Sequence, residues 1–275
     1  MATTPCPPLE IVRPEAFPTR IRHALFDFDG TLSLIRQGWQ QVMAPMMVEY
    51  LMATPQHEPR EVVERLVAEM IDETTGKQTI YQMMALEEMI RERGGEARDA
   101  AAYKRDYLDR LWERIEGRVA GLEQGRIEPH SLRVSGAMAF LQALRERNIT
   151  CYLASGTDVG YVRNEVRALG LDGFFGEHIY GALDDWQSYS KAMIVARILR
   201  ENDLRGSQLA TFGDGFVEIE NCVAVGGIAV GVATDEERRH RVDPWKRERL
   251  IRAGAHVIVP DFCRDEEILA LLGWG

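Results

Sequence analysis

The chain has 275 residues, 45% of them hydrophobic, and a formal charge of −10. That length and composition suit one large α/β domain, or a core carrying an insertion. The acidic balance argues against a nucleic-acid partner, which would need basic stripes, and no apolar run reaches the roughly 18 residues of a membrane span. No basic segment followed by an apolar stretch opens the chain, so a soluble, cytoplasmic protein is expected.

Residues 1–20 carry prolines at positions 5, 7, 8, 14 and 18 and read as an irregular arm. A first strand is predicted over 21–26. Residues 34–129 show no convincing strand; apolar residues return there at three- and four-residue spacing, which predicts helices over 38–52, 60–72, 78–93 and 97–118. Met43, Met46, Met47, Met52, Met83, Met84 and Met89 are expected to pack between those helices. From residue 135 helix and strand alternate. Helices are predicted over 136–147, 159–169 (closed by Gly170), 188–201, 217–225, 245–253 and 264–272, and strands over 149–154, 178–180, 209–212, 228–232 and 256–259. Such alternation implies right-handed crossovers and a parallel sheet with helices on both faces. The expected organisation is therefore an arm (1–20), a Rossmann-like α/β core (21–33 and 130–275) and an inserted all-helical cap (34–129).

Chemistry concentrates where two apolar strands end in carboxylates. Phe26-Asp27-Phe28-Asp29-Gly30-Thr31-Leu32 follows the first strand, and Gly213-Asp214-Gly215-Phe216-Val217-Glu218 follows the run Leu209-Ala210-Thr211-Phe212. Open α/β sheets place their sites at this strand edge. Oxygen-only ligands favour a hard cation, Mg²⁺ first. Of Asp27 and Asp29, two residues apart, one can attack phosphorus while the other passes a proton to the leaving oxygen. Taken alone, the same acidic turn also suits a helix cap or a loop start. Ser155-Gly156-Thr157, at another strand end, reads equally as a helix cap or an anion pocket. Lys191 is the sole lysine or arginine between Arg167 and Arg197; by itself it would be a solvated surface charge.

In this order the pieces resemble the haloacid dehalogenase superfamily, specifically phosphatases with a helical cap after the first strand, similar to the phosphoglycolate phosphatase and β-phosphoglucomutase group. The resemblance spans residues 21–272. It implies Asp27 as the nucleophile that becomes aspartyl-phosphate and Asp29 as general acid/base. Leu153-Ala154-Ser155-Gly156-Thr157 matches the second motif, implying that Ser155 and neighbouring amides, Gly156 among them, hold phosphoryl oxygens; Thr31 of the first loop, whose amide and hydroxyl can donate hydrogen bonds, is a further candidate substrate contact. Lys191 matches the motif lysine that neutralises Asp27 and the phosphoryl group. Asp27, Asp29, Asp214 and Glu218 form the implied Mg²⁺ set; glutamate replaces the usual aspartate at 218, so that residue is a direct ligand or a water-mediated one. The acid at Asp29 disfavours dehalogenation of carbon.

By position, Glu73-Thr74-Thr75-Gly76-Lys77-Gln78 resembles the cap loop that reaches into the site, with Thr75, Lys77 and Gln78 as expected substrate contacts. Arg36, Trp39 and Gln40 are further candidates for the cleft wall. The implied substrate is a small phosphorylated metabolite, a sugar phosphate or a short phosphorylated acid, handled by a monomer or homodimer. The alternatives are a phosphomutase resembling β-phosphoglucomutase and a non-catalytic metabolite-binding protein. A response-regulator receiver fits poorly because of the insertion.

Cys6, Cys151, Cys222 and Cys263 lack CxxC spacing and are expected as reduced, packed thiols, without disulfide or zinc. His23, His57, His130, His178, His240 and His256 show no metal-ligand spacing. Gly226-Gly227 reads as a turn, and Glu236-Glu237-Arg238-Arg239 as a solvated helical face.

Overall fold

The structure is a computed structural model that describes residues 6–17, 20–183 and 185–275. Among the described residues seven strands form one sheet: β1 (Glu10–Ile11), β2 (His23–Phe26), β3 (Thr150–Asp158), β4 (Ile179–Ala182), β5 (Leu209–Gly213), β6 (Ile228–Val232) and β7 (Val257–Val259). Their order is β1-β7-β6-β5-β2-β3-β4. All neighbouring pairs are parallel except β1 with β7. The chain builds outward from β2 in one direction through β3 and β4, then returns to its other side for β5, β6 and β7. That reversal is the switch point at which open α/β sheets form a crevice.

Helices α5 (Ala137–Glu146), α6 (Val159–Ala168), α7 (Asp172–Phe175), α8 (Lys191–Glu201), α9 (Phe216–Ala224), α10 (Pro244–Ala253) and α11 (Asp265–Leu269) connect and flank these strands. Because both faces are covered, β2, β5 and β6 are buried along their whole length, which is why they read as continuous apolar runs rather than alternating ones. Phe26 and Phe212, paired across β2 and β5, stack with centroids 4.6 Å apart. Phe140, Phe175 and Phe262 meet Phe26 at their edges or at a tilt.

The insertion is all-helical: α1 (Gln40–Met52), α2 (Arg60–Thr74), α3 (Thr79–Glu92) and α4 (Ala100–Glu123). Met43, Met46, Met47 and Met83 are fully buried there, and Met52, Met84 and Met89 pack against the same cluster. Among the described residues no helix is long and apolar enough to cross a membrane.

Three expectations need correction. The arm is not wholly irregular: β1 pairs with β7, the amides of Val12 and Arg13 donate to the His256 carbonyl, and Glu10 forms a two-pronged pair with Arg247. An edge strand held by backbone bonds and one ion pair leaves no hydrophobic pattern to read. Strand β3 runs four residues further than predicted, to Asp158, with a register shift against β4 after Ala154. Residues 236–239 are a turn, not a helical face, and Glu236 accepts from a buried lysine.

Truncating the central ring should be costly. Phe26→Ala is expected to lower the unfolding free energy by about 3–5 kcal/mol in denaturant titration; a loss under about 1 kcal/mol would show that the aromatic cluster does not carry the core.

Candidate active site

Because β2 lies between β3 and β5, three loops leave the same sheet edge side by side. Asp27 continues the ladder, its amide donating to the Phe212 carbonyl at 2.8 Å. The chain then turns tightly, and the amides of Thr31, Leu32 and Ser33 all donate to the Phe28 carbonyl. Gly30 adopts φ +74°, and a Cβ there would stand 2.2 Å from Asp214 Oδ2. Both conditions demand glycine.

Lys191 opens α8, whose cap Ser190 accepts from the Met193 amide. Its ammonium lies 2.9 Å from Asp27 Oδ1 and 2.7 Å from Glu218 Oε1, with 5% of the side chain exposed. Burial opposes its charge, yet Asp27 and Glu218 together hold it above the ordinary lysine value. Burial also raises the Asp27 carboxyl well above its usual range; Lys191 opposes that rise and Glu218 adds to it.

Asp29 faces the other way. Its Oδ2 accepts from Thr157 Oγ1 at 3.0 Å and Ser155 Oγ at 3.4 Å, and its Oδ1 lies 3.8 Å from Arg36 Nε. Burial pushes this carboxyl up to about 6 against the pull of Arg36. Arg36 is committed to Glu165, which it grips through Nε and Nη2 at 2.6–3.2 Å.

On the far side, Asp214 Oδ2 is 2.8 Å from the Lys246 ammonium, which also meets Glu236 Oε1 at 2.7 Å. Six carboxylates (Asp27, Asp29, Glu165, Asp214, Glu218 and Glu236) thus share three cations, Arg36, Lys191 and Lys246. The deficit of positive charge asks for a further cation. Asp27, Asp214 and Glu218 each offer an oxygen within 4.8 Å of the others, and Glu218 Oε2 is buried without a hydrogen-bond partner. An all-oxygen cluster with an orphaned acceptor fits a hard divalent ion.

Asp27, Asp29, Ser155, Gly156, Lys191 and Asp214 line one cleft, and the cap loop contributes Thr75 and Lys77 to its wall. Glu218 lies behind Lys191. Asp29 stands outside the three-carboxylate cluster: its Oδ2 turns to the Ser155 and Thr157 hydroxyls, while its Oδ1 is buried without a hydrogen-bond partner. Thr31 is fully buried, its hydroxyl unpaired and outside the cleft lining. Gln78 is corrected as a substrate contact, because its amide donates to the Trp186 and Tyr189 carbonyls and pins the cap to the core. Arg36 and Trp39 line the cleft as expected, whereas Gln40 lines a neighbouring groove.

Sequence reasoning missed Thr79, Gln82, Tyr107, Thr157, Glu165, Glu236 and Lys246. Thr157 stood inside the quoted motif; for the others no local pattern distinguishes them.

A carboxyl whose value rises on folding binds protons more tightly in the native state, so stability falls as pH rises from about 4, the unfolded value, to about 6. In the metal-free protein Asp29→Asn should therefore be more stable than the parent at pH 7, by about 1–2 kcal/mol after discounting for the 23% of the side chain that is exposed. The difference should vanish near pH 4. Equal melting temperatures at both pH values would contradict this.

The model of the haloacid dehalogenase-like hydrolases matches residues 21–226. No curated relative matches the chain. Among solved structures, a haloacid dehalogenase family hydrolase from Deinococcus radiodurans with bound phosphate and sodium is 19% identical, with TM-score 0.55 over 94% of this chain and 98% of that one. A predicted phosphoglycolate phosphatase from Haemophilus somnus is 16% identical, with TM-score 0.56 over 91% and 98%. A β-phosphoglucomutase from Clostridium difficile is 12% identical, with TM-score 0.60 over 92% and 97%. These likenesses concern the fold, a Rossmann-like sheet bearing a helical cap. With three quarters of its length matched by the family model, the chain belongs to the haloacid dehalogenase-like hydrolases.

Proposed function

We propose that this chain is a Mg²⁺-dependent phosphatase that hydrolyses a small phosphomonoester, a sugar phosphate or a short phosphorylated acid, through an aspartyl-phosphate on Asp27. The observation that carries this reading is the division of labour between two carboxylates two residues apart. Burial raises both carboxyls, but Asp27 is ion-paired to Lys191 at the floor of the cleft, which favours its anion, whereas Asp29 is raised to about 6 and hydrogen-bonded to the Thr157 hydroxyl. One is suited to act as an anion and the other to carry a proton.

In the first step an Asp27 carboxylate oxygen bonds to phosphorus as the ester P–O bond breaks, and the Asp29 proton goes to the departing oxygen. In the second, Asp29, now ionised, takes a proton from water as that water's oxygen attacks phosphorus, and the bond to Asp27 breaks to release inorganic phosphate. The Ser155 hydroxyl and the Gly156 backbone, which line the same cleft, are placed to bind phosphoryl oxygens. Lys191 offsets the charge on Asp27 and the phosphoryl group. A Mg²⁺ ion held by Asp27, Asp214 and Glu218, directly or through water, would supply the remaining charge neutralisation. Thr75 and Lys77 face the leaving group from the cap. The cleft is small, about 100 Å³, and opens to solvent, in keeping with a small substrate.

Screening several dozen phosphorylated metabolites with Mg²⁺ should yield steady phosphate release that EDTA abolishes and added Mg²⁺ restores. Asp27→Asn should lower the rate by at least about 10³-fold; undiminished turnover would remove the mechanism. A hexose 1-phosphate converted to the 6-phosphate with little free phosphate would move the assignment to a phosphomutase.

Lys246 positions Asp214, so Lys246→Met should raise the Mg²⁺ concentration for half-maximal activity by about 10–100-fold. Lys246→Arg should restore part of the affinity. An unchanged Mg²⁺ titration in Lys246→Met would show that the ammonium does not orient Asp214.

A further inference from the structure

A second cluster of metal-ligating side chains lies away from the cleft, where the turn after β6 meets the segment after β7. His240 Nδ1 is 3.2 Å from Asp261 Oδ2, and one ligand atom each from His240, Asp261 and Cys263 falls within 4.8 Å of the others. The Cys6 carbonyl accepts from Arg264 Nε and Nη2 at 3.2 and 3.0 Å, which brings the arm beside Cys263. We propose that Cys263, His240 and Asp261, completed by Cys6 from the N-terminal arm, form a structural site for a borderline divalent ion, Zn²⁺ foremost.

The donor set selects the metal. Two thiols, an imidazole and a carboxylate suit Zn²⁺ and are poor partners for Mg²⁺. Bonds of about 2.0–2.3 Å in a tetrahedron separate ligand atoms by roughly 3.3–3.8 Å, which the triad meets after small shifts. Cys6 lies outside the three-membered cluster and must move in to complete it.

Several features make this a built cluster. Asp261 is 3% exposed, and its Oδ1 accepts from the Cys263 amide at 2.9 Å, which aims Oδ2 at His240; ligating carboxylates are held by such outer hydrogen bonds. Arg239 and His240 are successive non-glycine residues with positive φ, 41° and 51°. Backbone of that kind costs free energy and persists where surrounding structure requires it. The turn is closed by the Thr234–Val242 bridge and by Thr234 Oγ1 donating to the Pro260 carbonyl at 2.6 Å. Phe262 is fixed by its amide donating to the Ser135 carbonyl. Binding would form two sulfur–metal bonds as the thiol protons of Cys6 and Cys263 pass to solvent.

The test is elemental analysis of the full-length chain, incubated with excess Zn²⁺ and desalted, together with its Co²⁺-loaded form. About one tightly held Zn²⁺ per chain is expected in the parent and equally in Asp27→Asn, which separates this site from the proposed active centre. Cys263→Ser and His240→Ala should each lose at least about tenfold in Zn²⁺ affinity, and Co²⁺ should show a thiolate charge-transfer band that Cys263→Ser removes. Should those variants fail to fold, Cys6→Ser, altered only in the arm, should still bind Zn²⁺ at least about tenfold more weakly than the parent. No retained Zn²⁺ in the parent, Zn²⁺ held by Cys6→Ser or by Cys263→Ser as tightly as by the parent, or a Cys6–Cys263 disulfide found by intact mass and peptide mapping would each overturn the site.

Discussion

The constraint on which this molecule turns is the compensation of buried negative charge at one sheet edge. Carboxylates removed from water either take up protons or find cations, and here both responses are visible. Asp27, Asp29 and Asp214 are all raised by burial, while Lys191, Lys246 and Arg36 stand between pairs of acids. The three cations arrive from three directions: the start of α8, the first turn of α10 and the loop ahead of the cap. A sheet with loops from β2, β3 and β5 abreast is what makes such convergence geometrically available. Stability is given up at the edge and recovered in the aromatic core directly beneath it, where Phe26 and Phe212 immediately precede the acidic loops.

How legible the site was from the sequence depends on whether a residue's partner was local. Asp27, Asp29, Ser155 and Asp214 stand at the ends of apolar strands, and an apolar run ending in a carboxylate or a hydroxyl is itself a pattern. Lys191 could be read only through the family resemblance. Lys246 looks in the sequence like any lysine on a charged helix, yet it is buried, because Asp214 and Glu236 come to it from 32 and 10 residues earlier in the chain. The same holds for Arg36 and Glu165, which are separated by 129 residues. Gln78 misled for a related reason: position placed it on the cap loop, but only tertiary structure shows that its Nε2 donates to the carbonyls of residues 186 and 189. The parallel sheet and the helical cap were readable because periodicity is local. The two-residue edge strand was not, since its bonds are to backbone and carry no side-chain signature.

The seam between cap and core is defined by glycines. A Cβ on Gly156 would stand 2.8 Å from the Lys77 carbonyl, and one on Gly215 would stand 3.0 Å from the Gly76 Cα. The cap loop therefore rests on the last residues of β3 and on the loop after β5 at backbone distance, and the Gln78 amide fastens it there. Asp27 and Lys191 are buried beneath that contact, and burial strengthens each charge interaction around Asp27. Any side chain at Gly156 or Gly215 would wedge the cap away and re-solvate the acids, so closure and electrostatics are one property of this seam.

The turn spanning residues 234–242 ties the proposed structural metal cluster to the acidic edge. Its far end carries His240, facing Asp261; its near end carries Glu236, which shares Lys246 with Asp214, and the Glu236 carbonyl accepts from Gln37 Nε2 at 3.0 Å ahead of the cap. An ion that fixed His240, Asp261 and Cys263 would restrict the turn at one end and thereby the carboxylate at the other. Lys246 has two partners at nearly equal distance, 2.8 Å for Asp214 and 2.7 Å for Glu236, so the position of its ammonium depends on both. The arm, brought in by Cys6 and by β1, would then serve the site without approaching it, through the rigidity of a turn whose backbone is already held in an unfavourable conformation.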